Sequence, residues 1–328
     1  MKLRVLVVSY AVLMFSIITA LGETHFITSA GDIGDPANWD NGLPTLENVG
    51  YIIGTDAKWL NDSIASNLSS HIVVGNAGRL IDEHGSYTSG ELNGGILDIQ
   101  TGGSYERVNA EYSNAMRIRD GGTLRVSGGN ARFSGLVAYT GNVTVDITGG
   151  TFWSAKLINF NNGESNSTIN VSHATAEFGL EVAETRAIDE ANTFFNIGEG
   201  GILKMYKLGY ATRANDTNII VTISADGILE TTFFDKADAP KRPNRYINFE
   251  SDADACWTSN DLVAEDFETL WNQGILRHHG LKAGDEGAGT FSDNFTVSGN
   301  TITVIPEPGT IGLLATFGIA LLFIRRMV

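Results

Sequence analysis

The stretch Val143-Thr144-Val145-Asp146-Ile147-Thr148-Gly149-Gly150-Thr151-Phe152 decides the fold. Apolar and polar residues alternate from 143 to 147, which is the period-two pattern of a half-buried β-strand. The glycine pair then permits a tight turn, because glycine adopts positive φ without a steric penalty. An apolar residue follows almost at once, so the stretch predicts a strand, a glycine turn and a second strand.

This pattern recurs along the middle of the chain. Glycine supplies 38 of the 328 residues, which is more than the average of about 7%. Five copies of the glycine turn have their second position at Gly95, Gly122, Gly150, Gly201 and Gly227. The steps between them are 27, 28, 51 and 26 residues, and a degenerate copy at 174–178 divides the long step. A nearly constant period of this length is a repeat signature.

A period near 26 residues predicts one coil of a right-handed parallel β-solenoid. Stacked coils lie about 4.8 Å apart, so about six or seven coils make a rod roughly 30 Å long. Such a rod buries a continuous apolar seam, and the single cysteine, Cys256, leaves no intramolecular disulfide to replace it. The alternative is a β-sandwich or jelly roll with the glycine pairs as hairpin turns. Turn signals would then recur about every 8–12 residues, so the spacing favours the solenoid.

Two further elements flank the repeats. Upstream lies Trp39-Asp40-Asn41-Gly42-Leu43-Pro44, in which Asn-Gly makes a turn and proline stiffens its exit. Trp39 is expected to lay its ring over the open first coil, since a solenoid end exposes apolar surface unless it is capped. Downstream, a junction rich in proline at 238–243 precedes a predicted strand at 246–249.

The segment after that strand predicts the one convincing internal helix. Asn260 or Asp261 is expected to cap it, and Gly274 is expected to end it. Its buried face would consist of apolar residues at helical spacing, namely Val263, Phe267, Leu270 and Trp271. Three strands are predicted beyond the helix, at 289–291, 295–297 and 301–304.

Both ends of the chain carry apolar runs. Lys2 and Arg4 precede the run at 5–18, and small residues at 20–22 follow it. This layout predicts a secretory signal peptide cleaved after Gly22, with a signal anchor as the alternative.

At the other end, Pro306-Glu307-Pro308 precedes an apolar run at 311–324, and Arg325 and Arg326 follow it. The run would make a helix about 21 Å long, short of the roughly 30 Å hydrocarbon core, so it predicts a marginal transmembrane helix. The arginines would keep its end on the cytoplasmic side. The alternative is a buried helix of a soluble domain.

The C-terminal features resemble the PEP-CTERM sorting signal of bacterial exported proteins. The resemblance rests on Pro306, Glu307 and Pro308, on the short apolar segment, and on Arg325 and Arg326. It implies that a membrane-embedded exosortase recognises the Pro-Glu-Pro element and processes the tail. The Trp39 element with the glycine-rich strands resembles surface and autotransporter-like β-helix proteins, which implies a fold rather than an activity.

The chain therefore divides into five predicted segments. They are a signal peptide (1–22), an N-terminal cap with the first strands (23–75), glycine-rich solenoid repeats (76–237), a C-terminal α+β cap or spacer (238–304) and a sorting signal with its transmembrane helix (305–328).

Charge narrows the range of partners. The formal net charge is −16, and the part between the two terminal signals carries −19 because the signals contain four basic residues and one acidic residue. An acidic surface of this kind argues against nucleic acid and anionic lipid as partners. A calcium site would draw on Asp32, Asp35, Asp252 and Asp254. No other cofactor or metal is predicted.

The sequence predicts no catalytic residue. Residues about 26 apart should lie side by side in successive coils, and one such column mixes charged, polar and apolar types: Asp98, Arg125, Ser154, Phe178, Lys204 and Glu230. Asp120 and Asp146 are one period apart and form a possible carboxylate pair. The histidines lack metal-ligand spacing, and hydrolase, phosphate-loop and zinc-protease motifs are absent.

Two classes of function remain. The first is a structural or adhesive protein of the cell surface or extracellular matrix, which presents acidic and Asn/Thr-rich edges to polysaccharide. The second is a secreted polysaccharide lyase or hydrolase on the same scaffold. The enzyme would require Asp98, Asp120 and Asp146 to face one groove beside a basic residue.

Overall fold

The computed structural model describes residues 22–59, 67–68, 70–82, 90–107, 116–133, 135–155, 157–159, 166–179, 186–187, 192–208, 218–234, 236, 244–250 and 254–305. Strands dominate the described residues, and helices are few and short. The strands form a β-solenoid of about seven turns, with successive turns paired in parallel. The predicted all-β solenoid is confirmed. The sandwich or jelly-roll alternative is wrong, because neighbouring strands of the repeats come from successive turns and pair in parallel.

Sheet 1 contains the first strand of each turn, and one short strand extends it at each end of the rod. Its strands pair in parallel register, for example Asn166 with Asn192 and Thr193 with Ile219. They are β1 (Gly22–His25), β3 (Asn48–Ile53), β6 (His71–Gly75), β9 (Ile96–Ile99), β12 (Thr123–Phe133), β14 (Val143–Ser154), β16 (Asn166–Val171), β19 (Asn192–Ile197), β21 (Ile219–Ile223), β23 (Arg245–Phe249) and β25 (Leu276–His278).

Sheet 2 follows sheet 1 around each turn, and β12 and β14 bend across the corner to serve both sheets. Its other strands are β2 (Gly31–Asp32), β4 (Asp56–Trp59), β7 (Arg79–Asp82), β10 (Ser104–Arg107), β17 (Thr175–Phe178), β20 (Ile202–Leu208), β22 (Ile228–Phe234) and β24 (Cys256–Ser259). Sheet 3 completes the middle turns with β5 (Asn67–Leu68), β8 (Glu91–Asn93), β11 (Met116–Arg119), β13 (Leu136–Thr140), β15 (Leu157–Asn159) and β18 (Arg186–Ala187).

The inward-facing side chains form one apolar core along the rod. Alternation places every second residue inside, as in β16, where buried and half-buried residues alternate along the strand. A continuous run of aromatic rings fills the centre of the core, each in contact with the next: Tyr105, Phe133, Phe152, Phe178 and Phe195. This core supplies the stability that the single cysteine cannot.

The predicted glycine copies occupy two different corners of the turn. Gly95 and Gly122 directly precede strands of sheet 1, and the amide of Thr123 donates to the carbonyl of Gly95. Gly150, Gly201 and Gly227 directly precede the sheet 2 portion of a turn. The interpretation of all five as one equivalent position is therefore wrong. Both corners turn tightly and both take glycine, so the glycine pattern does not distinguish them.

At the N-terminal end, the chain folds back against the outer edge of β1. The amide of His25 donates to Oδ1 of Asp40 over 2.7 Å, and the amide of Asp40 donates to the carbonyl of His25 over 3.1 Å. Nδ2 of Asn41 donates to the carbonyl of Glu23 over 3.0 Å. We call Asp40 and Asn41 the edge clamp. Since open strand edges recruit other chains, the clamp protects the exposed end of sheet 1.

Trp39 anchors this fold-back. Its ring is 3% exposed, packs edge to face on Phe26, and donates from Nε1 to the carbonyl of Ile33 over 2.9 Å. A short 3-10 helix, Pro36–Asn38, leads into it. The ring thus covers apolar surface of the first turn, as the sequence predicted for it.

An antiparallel hairpin and a helix close the other end. β27 (Thr301–Val304) pairs antiparallel with β24 and with β26 (Phe295–Ser298). Helix α1 (Ala264–Asn272) buries Phe267, Leu270 and Trp271. The short helix α2 (Phe291–Asn294) follows. Within the described residues, no helix is long and apolar enough to cross a bilayer.

Three local predictions in this region need correction. Val263 precedes α1 and is 56% exposed, so it is not part of the buried face. Asp261 does not cap the helix, because its carboxylate accepts from the amide of Phe234 and from Ser259. Residues 289–291 are not a strand, since the carboxylate of Asp293 accepts from the amide and hydroxyl of Thr290 and starts α2.

Candidate functional site

The outward face of sheet 1 carries columns of polar side chains, one per turn. The central column is set by the strand register and contains Asp98, Arg125, Asp146, Asn170, Asn196, Thr222 and Asn248. We call this surface the ladder face. Since successive strands lie about 4.8 Å apart, the column repeats a polar group at that interval along the rod.

Side-chain hydrogen bonds connect Asn196, Asn170 and Asp146 of the central column in one direction. Nδ2 of Asn196 donates to Oδ1 of Asn170 over 2.8 Å, and Nδ2 of Asn170 donates to Oδ1 of Asp146 over 2.7 Å. The series ends at the Asp146 carboxylate, which also lies 3.9 Å from Nε of Arg125. Aligned amides polarise one another, so these side chains form one hydrogen-bonded array rather than a set of independent groups.

A second asparagine column lies at the corner where the chain enters sheet 1. It contains one asparagine from each of five successive turns: Asn142, Asn166, Asn192, Asn218 and Asn244. Nδ2 of Asn192 donates to Oδ1 of Asn166 over 2.9 Å, and Nδ2 of Asn218 donates to Oδ1 of Asn192. Our sequence reasoning missed this column.

Between the two columns runs a third row, which is polar at one end and apolar at the other. It begins with hydroxyl groups and ends with aromatic and aliphatic side chains: Thr123, Thr144, Thr168, Phe194, Ile220 and Tyr246. The guanidinium of Arg277 lies 3.8 Å from the ring centroid of Tyr246, in a cation–π contact.

The ladder face is suited to binding a regularly repeating, hydroxyl-rich molecule. An asparagine side chain has two N–H donors and two acceptor lone pairs, and one of each suffices for its neighbours along the column. The second N–H of Asn170 and of Asn196 is therefore available to a ligand. Two turns span about 9.6 Å, which is comparable with the length of a disaccharide in an extended polysaccharide.

The predicted acidic residues are only partly brought together. Asp98 and Asp146 lie in the central column with Arg125 between them, paired in register with both. Asp120 lies apart, in a turn with φ +49°. The prediction that Asp120 and Asp146 are neighbours is therefore wrong. The turn from Thr123 to Thr144 is shorter than the average period, so Asp146 pairs with Arg125 instead.

The predicted mixed column is also wrong beyond Arg125. Ser154 and Phe178 pair with each other in sheet 2, with their side chains buried. Lys204 and Glu230 are neighbours on the outer face of sheet 2, where Nζ and Oε2 lie 3.1 Å apart. Only Asp98 and Arg125 of the predicted set belong to the ladder face.

Both ladder-face carboxylates are held by hydrogen-bond donors. Asp98 is 8% exposed and accepts from Nε2 of Gln100 over 3.0 Å and from Oγ of Ser127 over 3.2 Å. Asp146 accepts from Asn170 and faces Arg125. Both carboxylates are thus committed to neighbouring side chains, so the arrangement suits binding better than catalysis.

His71, which lies near Asp98 and Arg125 of the ladder face, is a poor general base. Burial lowers the pKa of His71, the nearby Asp98 raises it, and Arg125 lowers it further. Its Nε2 is buried without a hydrogen-bond partner among the described residues. Elsewhere, burial and then the charge of Glu230 raise the pKa of Cys256, which keeps its thiol protonated and unreactive.

The calcium candidates do not converge within the described part of the chain, which contains no cluster of three or more His, Cys, Asp or Glu placed to hold a metal ion. Asp32 and Asp35 accept from the amides of Gly34 and Ala37 in local turns. Asp254 is exposed in a turn with φ +58°, and Asp252 lies outside the described residues.

The predicted terminal signals also lie outside the described residues, except Gly22, which pairs with Asn48 in β1, and Ile305, whose amide donates to the carbonyl of Asn294. This concerns the signal peptide before Gly22 and the sorting residues Pro306, Glu307, Pro308, Arg325 and Arg326. No family model, curated protein or solved structure matches the chain. The fold and the ladder face together define a β-solenoid with asparagine ladders on one face.

Proposed function

We propose that the protein is an exported rod of the cell surface or extracellular matrix, and that its ladder face binds polysaccharide. The observation that carries the proposal is the in-register hydrogen-bonded column from Asn196 to Asp146. It exposes repeated amide groups and stands beside a row that contains Thr144, Thr168 and Phe194. The net charge of −16 favours a neutral polymer over an anionic one.

A structural or adhesive role fits this face better than catalysis. A polysaccharide-cleaving enzyme needs an acid that can give up a proton at the scissile bond. Asp98 and Asp146 are both engaged by neighbouring side chains, and Asp120 lies in a separate turn with φ +49°. Cleavage of a uronic-acid polymer by the purified protein would overturn this preference.

Export and sorting complete the proposal. The signal peptide would direct the chain across the inner membrane, and an exosortase-type membrane protease would process the tail with its transmembrane helix. The segments at 23–75 and 238–304 would act as caps. We also propose right-handed winding, since crossovers between parallel strands are almost always right-handed.

We expect the ladder variant Asn170→Leu/Asn196→Leu to bind an insoluble neutral glucan about tenfold or more weakly, because each lost hydrogen bond contributes roughly 1 kcal/mol. Leucine keeps the size of the side chain but removes the amide. Binding is measured by depletion of the protein from solution at increasing amounts of glucan, with a polygalacturonate gel as the acidic comparison.

The matched control is Asn130→Leu, because Asn130 is exposed on sheet 2 and accepts from Thr151 over 2.6 Å. It should bind as the unaltered chain does. Equal losses in the control and the ladder variant would remove the ladder face from the proposal, and so would stronger retention by polygalacturonate than by glucan.

The sorting proposal makes a separate prediction. Alanine at Pro306 and Pro308 should leave the precursor unprocessed in the inner membrane, because proline holds the motif extended and accessible. Mass spectrometry of both protein ends gives the result. The unaltered chain should begin after Gly22 and lack the arginine tail. Normal processing of the variant would contradict exosortase recognition of this motif.

A further inference from the structure

Asn41 of the edge clamp is followed by Gly42, and the surroundings of this Asn-Gly pair leave it open to spontaneous reaction. Asn41 is exposed, and Gly42 has φ +80° with open space where a Cβ would lie. Among the described residues, no group accepts a hydrogen bond from the amide of Gly42. The carbonyl of Gly42 is fixed, since it accepts from Oγ1 of Thr24 over 2.9 Å.

The chain provides an internal comparison at Asn93-Gly94. There the glycine amide donates to the carbonyl of Arg119 over 3.0 Å, and Asn93 is half-buried at the end of β8. An amide nitrogen held in such a bond must lose it before it can attack a neighbouring carbonyl carbon. The two pairs therefore have the same sequence and different freedom to react. A third pair, Asn162-Gly163, lies outside the described residues.

We propose that Asn41 is a deamidation site and that its conversion releases the edge clamp from β1. The backbone nitrogen of Gly42 loses its proton and bonds to Cγ of Asn41. The Cγ–Nδ2 bond then breaks, and ammonia leaves with the proton. Water opens the resulting succinimide to aspartate or isoaspartate, so the only co-reactant is solvent.

Deamidation of Asn41 removes a hydrogen-bond donor that holds β1 in the folded structure. Nδ2 of Asn41 donates to the carbonyl of Glu23, and a carboxylate has no hydrogen to replace it. The new negative charge also stands next to Asp40, whose carboxylate holds the amide of His25. Like charges in adjacent positions repel, which weakens the second half of the clamp.

The consequence is an exposed strand edge. The Asp40 and Asn41 contacts satisfy backbone groups of Glu23 and His25 on the side of β1 that faces away from β3. Without the clamp, these groups are free to pair with another chain. Deamidation would thus convert a closed rod end into one that associates, and the converted fraction would grow with the age of the protein.

The test uses the full chain purified in mild detergent and aged at mildly alkaline pH. Peptide mass spectrometry should show deamidation at Asn41 about tenfold faster than at Asn93, the factor that corresponds to one retained hydrogen bond. In parallel, hydrogen exchange of the His25 amide is compared in Asn41→Asp and Asn93→Asp. Protection should fall about tenfold in the first variant and stay unchanged in the second.

Two results would overturn the proposal. Equal deamidation rates at Asn41 and Asn93 would show that the free Gly42 amide makes no difference. Unchanged protection of His25 in Asn41→Asp would show that the modified residue does not release the edge. Neither readout depends on polysaccharide binding, so the result is independent of the proposed function.

Discussion

Replacing Phe152 by alanine is expected to lower the free energy of unfolding by about 3–5 kcal/mol, the usual cost of truncating a buried phenylalanine. Phe152 is 2% exposed and lies between Phe133 and Phe178, with ring centroids 5.6 and 5.1 Å away. Its removal leaves a cavity in the middle of the aromatic run. The midpoint of thermal unfolding, followed by circular dichroism, should fall by roughly 5–10 °C.

The neighbouring Trp153 supplies the control. Its side chain is larger but half-buried on the outer face of sheet 2, where Arg132 lies 4.2 Å above the ring. Trp153→Ala should cost only about 1 kcal/mol, mainly from the lost cation–π contact. If this variant proves as unstable as Phe152→Ala, the internal aromatic run is not what joins the turns of the solenoid.

The repeat architecture was predictable because strand alternation is a local property. The runs before the glycine pairs, such as 219–223, are strands with alternating burial in the structure. The step from Gly201 to Gly227 is also one true turn, since Ile202 pairs with Ile228. Strand positions and the approximate period therefore follow from the residues themselves.

The register was not predictable from glycine alone. Gly122 and Gly150 look equivalent in sequence, but they lie at different corners, because the intervening turn is short and both corners exclude side chains. Asparagine gives the better alignment. The motif of asparagine, three residues, a polar residue and an apolar residue recurs from Asn142, Asn166, Asn192, Asn218 and Asn244. Aligning on these residues would have placed Asp146 beside Asn170 and indicated the ladder face.

The contacts at the rod ends depend on tertiary structure. Trp39 could be assigned to the first turn from its residue type and position. The hydrogen bonds between Asp40 and His25 could not be predicted from the sequence. Those bonds lower the pKa of Asp40: the hydrogen bond from the His25 amide contributes most, burial opposes it, and Thr24 assists. A carboxylate with a depressed pKa stabilises the folded state above its unfolded value of 3.8 and loses this effect as the pH falls through the folded value.

Gly201→Ala is expected to destabilise the protein by about 3 kcal/mol, the upper end of the cost of overpacking a fixed site. A Cβ on Gly201 would lie 2.3 Å from the carbonyl oxygen of Val171 in the preceding turn. The neighbour is backbone, and both turns are hydrogen-bonded there, since Ile202 donates to the carbonyl of Ala174 over 2.8 Å. The two turns must therefore move apart. Chemical denaturation of the purified chain measures the loss.

In the preceding turn, the position that corresponds to Gly201 is Ala174, so one turn already carries alanine at this corner. This does not weaken the expectation for Gly201. The segment from Val171 to Thr175 is one residue shorter than the paired segment from Ile197 to Ile202, so the backbone reaches the corner differently. The control is Gly198→Ala, three residues earlier. A Cβ there would meet Ser172 at an ordinary 3.5 Å, and the smaller entropy of the unfolded chain offsets any loss. Equal destabilisation by both variants would mean that the spacing between turns adjusts freely at this corner, and that glycine is retained there for flexibility and not for close approach.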